Sequence, residues 1–375
     1  MEQVMVIHGN EACVRGAIAA GCRFFAGYPI TPASEVAELM AEMLPKQGGI
    51  FMQMEDEIAS VCSLIGAAWG GAKACTATSG PGFSLMQEGF GYAVATETPC
   101  VCINVQRGGP STGQPTSSSQ QDIYQAKYGS HGDYEVIAYA PASAQECFDL
   151  TVKAFNAAEK YRVPVFVMSD EVVGHTREKV RIPEKLELYE RRKPSVPPGE
   201  YALFRGGPDG RLDGMPAFNQ GYKLMVDGQL HDEWGTRAGP SVEESAKLVR
   251  RLCDKVLKHD GDLLDVESRY LDDAEVAVVS WGSAVRPAMQ AVRQARVNGI
   301  KAGCLKLRIV WPFPDSVIYD LAGKVDRILV PEMNVGKIVR EVERAAHGRA
   351  DVMGLPKLGG ALHTPAEILA AIEGR

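Results

Sequence analysis

No stretch of this chain stays apolar for the roughly 18–20 residues that a bilayer crossing needs, so no helical membrane span is expected. The opening, Met1 to Ile7, lacks the basic region, long apolar core and small-residue cleavage site of an export signal. It reads as a first strand, and a cytoplasmic protein is expected. None of the nine cysteines stands in C-x-x-C spacing, and most lie scattered inside apolar segments. Buried reduced thiols follow, with neither an iron–sulfur cluster nor a structural zinc ligated by this chain alone. Excess charge is also small: 40 Lys and Arg against 47 Asp and Glu leave a net −7, which gives no general pull towards nucleic-acid phosphates. Other omissions are motifs. There is no G-x-x-x-x-G-K-[ST] loop, no G-x-G-x-x-G after the first strand and no H-E-x-x-H. Those gaps disfavour a P-loop nucleotidase, a Rossmann dinucleotide enzyme and a zincin.

What is present is a globular chain of 375 residues, 45% hydrophobic and 23% charged, enough for two or three domains of roughly 100–200 residues. Short β-rich runs alternate with helical patterns. In the first half, strands are expected up to Tyr28, over Lys73–Thr78, Pro99–Val105 and Val163–Ser169. Helices are expected from Pro32 to Met43, Glu57 to Trp69, Phe83 to Glu97 and Ser143 to Lys160, with Ser79-Gly80-Pro81-Gly82 as a turn. Such alternation predicts an α/β fold with parallel sheets covered by helices on both faces. Between Glu184 and Asp272, prolines and glycines break any long element apart from a helix near Ser241–Leu263. After that the rhythm resumes: strand Ala274–Trp281, helix Val285–Asn298, strand Ala302–Ile309, helix Asp315–Ala322, strand Arg327–Pro331, helix Val335–Ala346. The expected organisation is a first α/β domain over 1–183, a Pro/Gly-rich connection over 184–272 and a second α/β domain over 273–375. An α/β chain of this size without a phosphate loop is expected to share its site with another chain.

Three segments carry candidate chemistry. Gly27-Tyr28-Pro29-Ile30-Thr31-Pro32 leaves the C-terminal end of a strand, where open α/β sheets bind ligands. The Thr31 hydroxyl is either a ligand contact there or a helix N-cap. Met54-Glu55-Asp56-Glu57 opens a helix with three acids, of which dipole capping explains two. Glu57 abuts Ile58-Ala59-Ser60-Val61 and is the one that can face the interior, where unpaired carboxylates are costly and concentrate at sites of proton transfer. Arg107 ends a buried strand and precedes the polar run Gly108-Gly109-Pro110-Ser111-Thr112-Gly113. Its guanidinium fits a bidentate carboxylate, with a surface ion pair as the alternative.

Taken in order, these segments resemble the alpha subunits of the 2-oxoacid:ferredoxin oxidoreductases, those of the 2-oxoglutarate type most of all. The resemblance spans nearly the whole chain. It rests on Gly9-Asn10-Glu11-Ala12, Tyr28-Pro29-Ile30-Thr31-Pro32, Glu55-Asp56-Glu57, Thr78-Ser79-Gly80-Pro81-Gly82, Gln106 to Gly113, His131-Gly132-Asp133 and Pro331-Glu332-Met333-Asn334-Val335-Gly336. Two departures are Lys337, where the family often has Gln, and Thr116 to Ser119, where relatives tend to carry a charge. The resemblance implies a thiamine-enzyme pyrimidine-type domain followed by a transketolase-C-terminal-like domain. It implies that Glu57 hydrogen-bonds the aminopyrimidine of thiamine diphosphate and drives the tautomer that activates the thiazolium carbon. Thr31 and Arg107 would line the substrate pocket, with Arg107 on the 1-carboxylate, and Pro29 and Ile30 would touch the ring. His131 would be a further candidate or a plain turn residue.

The family's diphosphate pattern, Gly-Asp-Gly with a later Asn, is missing; Pro208-Asp209-Gly210 lacks the first glycine. A beta subunit is therefore expected to bring the diphosphate pocket, Mg²⁺ and a [4Fe-4S] cluster, with coenzyme A as co-substrate and ferredoxin as electron acceptor. The first motif begins within ten residues of the start, so no gamma-like domain is expected ahead of it. The substrate is left open between 2-oxoglutarate and pyruvate or a branched 2-oxoacid. A second carboxylate would need its own cation, from Arg205, Arg237 or the beta subunit. A non-catalytic assembly subunit is the reading from another class.

Overall fold

A computed structural model describes residues 3–375. Six strands form a parallel sheet in the order Ile137–Tyr139, Pro164–Asp170, Cys100–Gly108, Lys73–Thr78, Cys22–Gly27, Ile50–Gln53. Cys100–Gly108 is buried throughout, as a near-continuous apolar run covered on both faces demands. Helices Gly9–Ala19 and Ala144–Tyr161 pack side by side against one face. Helices Glu57–Trp69 and Gln87–Ala95 cover the other. The longest, Ala144–Tyr161, starts where the Ser143 hydroxyl accepts from Glu146 N–H and stops at Arg162, which takes a left-handed φ of 49°.

A second sheet has the order Val266–Arg269, Ala302–Leu307, Val276–Ser280, Arg327–Glu332, Asp351–Pro356, parallel except for its first strand. The α/β expectation holds, with three corrections. The run expected as one strand, Ala302–Ile309, ends at Leu307; Ile309–Trp311 then crosses over and pairs antiparallel with Ile137–Tyr139 of the first sheet. The strand Gln3–His8 stays out of the main sheet and pairs with Arg177–Ile182. The helix expected from Phe83 begins at Gly80, where Pro81 suits a first turn, and breaks at Met86.

The connection wraps the N-terminal end of the first sheet rather than forming a core of its own. Tyr201, Leu203, Phe204 and Met215 join a cluster with Trp69 and Phe90. Beneath it Glu97, fully buried, accepts from Arg251 at 2.7 Å and from Lys255 Nζ at 3.0 Å, while its backbone carbonyl takes Arg162 Nε at 3.0 Å. Burial alone would push the Glu97 carboxyl up, but the charges of Lys255, Arg251 and Arg162 pull it down to about 2.

The two sheets are joined by a clasp at Gln120. Its amide donates to Trp281 O at 3.0 Å and accepts from Met333 N–H at 3.0 Å, and its carbonyl takes the Asn334 amide at 2.9 Å. Here the motif Pro331 to Gly336 has a structural role. The buried Glu332 carboxyl accepts from Ile338 and Val339 N–H, each at 3.0 Å, and so caps helix Ile338–Ala346. Among the described residues no helix is long and apolar enough to cross a membrane.

Candidate active site

The C-terminal ends of four neighbouring strands, Ile50–Gln53, Cys22–Gly27, Lys73–Thr78 and Cys100–Gly108, lie side by side. Each feeds one of the segments singled out above. The loop after Gly27 contains a cis Thr31–Pro32 peptide, and its helix starts only at Ser34, capped by Ala33 with no side-chain bond. Thr31 is therefore not an N-cap, and it is exposed. Pro32 is held from below by the buried Asn10, whose amide donates to Pro32 O at 2.9 Å and to Glu35 Oε2 at 3.0 Å. Pro29 is exposed, while Ile30 is half-buried against the core beneath.

The three acids divide their work. Asp56 is the N-cap, its carboxylate accepting from Ala59 N–H at 2.7 Å, and Glu55 is exposed. Glu57 has no capping duty and is only 5% exposed. Its carboxyl rests on Gly82: a Cβ there would lie 2.4 Å from Glu57 Oε1 and 2.2 Å from Thr78 Oγ1. Burial pushes the Glu57 carboxyl above the ordinary glutamate range; the Asp56 charge adds to this and the Arg107 charge works against it.

Arg107 is buried as well. Its Nη1 donates to Thr31 O at 2.6 Å and its Nη2 to Thr112 O at 3.0 Å, so the two loops are tied together through one guanidinium. A Cβ on Gly80, whose φ is +40°, would lie 3.3 Å from Arg107 Nε. After the polar run Gly108 to Gly113 the chain folds back as strand Gln114–Ser118, with Arg107 opposite Ser118. Ser118, Ser119 and Gln120 are buried, because the Gln120 clasp anchors the far end of the loop.

Structure thus brings Glu57, Thr31 and Arg107 around the turn Thr78–Gly82, and leaves His131 elsewhere. His131 is exposed, in a cleft lined by Tyr92, Asp227 and Val249. Arg205 and Arg237 are also elsewhere. Arg205 is paired with Glu233 and Arg237 with Asp227, and Arg205 shares a cavity with Arg251, the partner of Glu97. Glu97 lies just before the opposite end of the strand Cys100–Gly108 that carries Arg107, more than about 20 Å away at about 3.3 Å per residue. Neither arginine serves a second substrate carboxylate at this site.

Among the polar atoms buried here without a partner are Thr78 Oγ1, Ser79 Oγ, Arg107 Nε and Asn104 Oδ1. Buried polar groups are ordinarily satisfied, and orphans mark a place where something else binds. A carboxyl disposed to hold a proton, beside free hydroxyls and a clear glycine floor, fits a flat nitrogen heterocycle carrying its own donors and acceptors. Asn10, Asn104 and Asp122 also belong to the site and are not evident from sequence. Asn10 lay within a recognised motif, but nothing in it announced a contact with Pro32.

These features define an α/β thiamine-enzyme subunit, with the site at the carboxyl ends of a parallel sheet. The family model described as pyruvate flavodoxin/ferredoxin oxidoreductase, thiamine diphosphate-binding, matches residues 15–251, and pyruvate:ferredoxin oxidoreductase core domain II matches 274–368. The chain belongs to this family, among the alpha subunits of the 2-oxoglutarate type. It is 55% identical over 374 residues to 2-oxoglutarate synthase subunit KorA of Methanothermobacter marburgensis, covering 100% of both chains. Identity to ketoisovalerate oxidoreductase subunit VorB of Methanothermobacter thermautotrophicus is 36%, over 98% of this chain and 96% of that one. A solved structure of 2-oxoglutarate:ferredoxin oxidoreductase from Magnetococcus marinus, with 2-oxoglutarate, coenzyme A and succinyl-CoA bound, superposes with a TM-score of 0.92 at 31% identity. The match covers 99% of this chain and 65% of that one.

Proposed function

We propose that this chain is the alpha subunit of an enzyme that converts 2-oxoglutarate and coenzyme A to succinyl-CoA and CO₂, passing the electrons to ferredoxin. The observation that carries the reading is Glu57, released from capping by Asp56, buried, and seated on Gly82. Thiamine diphosphate, when bound, supplies the centre that stabilises the carbanion left by decarboxylation. Glu57 holds a proton at the aminopyrimidine nitrogen, which its raised affinity for protons suits. Pro29 and Ile30 border the ring. Arg107 is the cation that receives the 1-carboxylate of the 2-oxoacid. Thr31, fixed through its own carbonyl by Arg107, turns its hydroxyl to the substrate.

The beta subunit supplies the diphosphate pocket, Mg²⁺ and the [4Fe-4S] cluster. Relatives named as subunits support a partner chain, and the nine free thiols of this one suit the reducing cytoplasm. The same reading takes 1–183, 184–272 and 273–375 as the working units, with Ile309–Trp311 as a tie between the outer two. The 55% identity to a 2-oxoglutarate enzyme subunit, against 36% to a ketoisovalerate one, supports the substrate. The test is co-purification with the partner subunit, analysis of thiamine and iron in the complex, and turnover on a panel of 2-oxoacids. A strong preference for pyruvate overturns the substrate. Full turnover by Glu57→Gln in an intact complex overturns the catalytic reading in favour of an assembly role.

A further inference from the structure

Asp122 stands at the N-cap position of helix Ile123–Tyr128 yet makes no side-chain cap there. Asp ordinarily caps its own helix in that place. Here the carboxylate turns the other way. Its Oδ2 accepts from the Asn104 amide at 3.0 Å, and the Gly80 backbone N–H lies near enough to favour its charged form. Its own N–H donates to Gln106 Oε1 at 3.1 Å. Both Asn104 and Gln106 belong to the buried strand Cys100–Gly108 that carries Arg107. The charges felt by Asp122 are those of Arg107 and of Lys337, whose ammonium reaches in from the second domain and donates to Gln121 O. Asp122 and Glu57 are the two anions that balance Arg107.

We infer that Asp122 is a positioning residue for the reaction: it locks the Arg107 strand to the turn at Gly80, so that the substrate anchor and the floor under Glu57 are held as one unit. The inference rests on the functional reading above. Three neighbouring contacts make the geometry. Gly80 lies against Arg107 on one side and turns its N–H towards Asp122 on the other. Gly82, two residues on, touches Glu57. Asn104 and Gln106 leave Asp122 no other place to face. Removing the Asp122 charge leaves the Arg107 guanidinium with less counter-charge and replaces one of the two acceptor oxygens by an amide donor beside Asn104 Nδ2 and the Gly80 N–H. Arg107 then loses the orientation that binds a carboxylate.

The experiment uses the assembled enzyme and compares wild type, Asp122→Asn, Asp122→Glu and Arg107→Ala, with the double variant Asp122→Asn/Arg107→Ala. Asp122→Asn is expected to raise KM for the 2-oxoacid by about tenfold or more with KM for coenzyme A unchanged, because a substrate-binding contact is lost. Asp122→Glu recovers part of that loss. In the Arg107→Ala background Asp122→Asn adds nothing to KM, the signature of two residues acting through one contact. An unchanged 2-oxoacid KM in Asp122→Asn, or full additivity with Arg107→Ala, overturns the inference. Lower yield of folded complex with normal KM would show a merely structural residue and overturn it too. Wild-type turnover measured in the same preparations separates the two levels: an inactive wild type sinks the functional reading itself, whereas an active one with an insensitive Asp122 sinks this inference alone.

Discussion

Gly82→Ala is the sharpest perturbation this site offers. A methyl group there meets Thr78 Oγ1 at 2.2 Å, Glu57 Oε1 at 2.4 Å and Glu57 Cδ at 2.8 Å. Side-chain carbons do not approach neighbours so closely, so both the buried Thr78 hydroxyl and the Glu57 carboxyl must give way. Glu57 must move by about 1 Å to restore an ordinary contact distance. Overpacking of this kind costs about 1–3 kcal/mol, a fall in Tm of roughly 2–6 °C for a chain of this size. The effect on rate is larger. A reacting group displaced by about 1 Å loses on the order of 10²-fold in turnover. The assay is kcat on 2-oxoglutarate with a ferredoxin or dye acceptor, alongside thermal unfolding of the complex. Gly261→Ala, where a Cβ meets no atom within 4 Å, serves as the control and leaves kcat unchanged. If Gly82→Ala retains kcat within about twofold of wild type, the carboxyl is not held against that glycine and the account of Glu57 is wrong.

Glu57→Gln is expected to lower kcat by about 10²–10⁴-fold with the complex intact, as for loss of a general acid–base group. It also carries a stability signature. Burial raises the proton affinity of Glu57 in the fold, so the wild type loses stability as pH climbs from the ordinary glutamate value through the raised one. Glutamine has no such loss, and denaturant titrations should show the variant gaining on wild type at neutral pH and not in acid. Glu97→Gln works in the opposite sense. With its carboxyl held at about 2 in the fold, its contribution is full above the ordinary glutamate value and disappears as pH falls towards 2. Removing the charge at neutral pH strands Lys255 and Arg251 and should cost about 3–5 kcal/mol by chemical denaturation. Gln120→Ala deletes the bonds to Trp281 O and Met333 N–H and should cost about 1–3 kcal/mol. Hydrogen exchange then quickens at Met333 and Asn334; protection equal to wild type there would show that the two sheets are held by other means.

Much of this molecule is written in its residue order. The alternation of short apolar runs with helical periods predicts parallel sheets, and helix Glu57–Trp69 and strand Lys73–Thr78 fall on the residues where pattern places them. Glu57 is legible as the inward acid because apolar neighbours follow it directly. These are local facts: side-chain spacing fixes which face of an element is buried, and strand ends fix where a ligand can sit.

Partners across the fold are another matter, since hydrophobic spacing reports burial and says nothing about what lies opposite. Ile309–Trp311 is three residues long, too short for any period, and only the geometry of the two packed sheets sends it to Tyr139. Asp122 gives no signal in the sequence, and only the fold brings it to Asn104. Arg205 and Arg237 read as free cations until Glu233 and Asp227 arrive beside them. Sequence alone determined the strands, the helices and the one acid worth watching; tertiary packing decided which polar groups are satisfied and which are left open, because a hydrogen bond is set by positions in space that residues far apart in the chain reach only after folding.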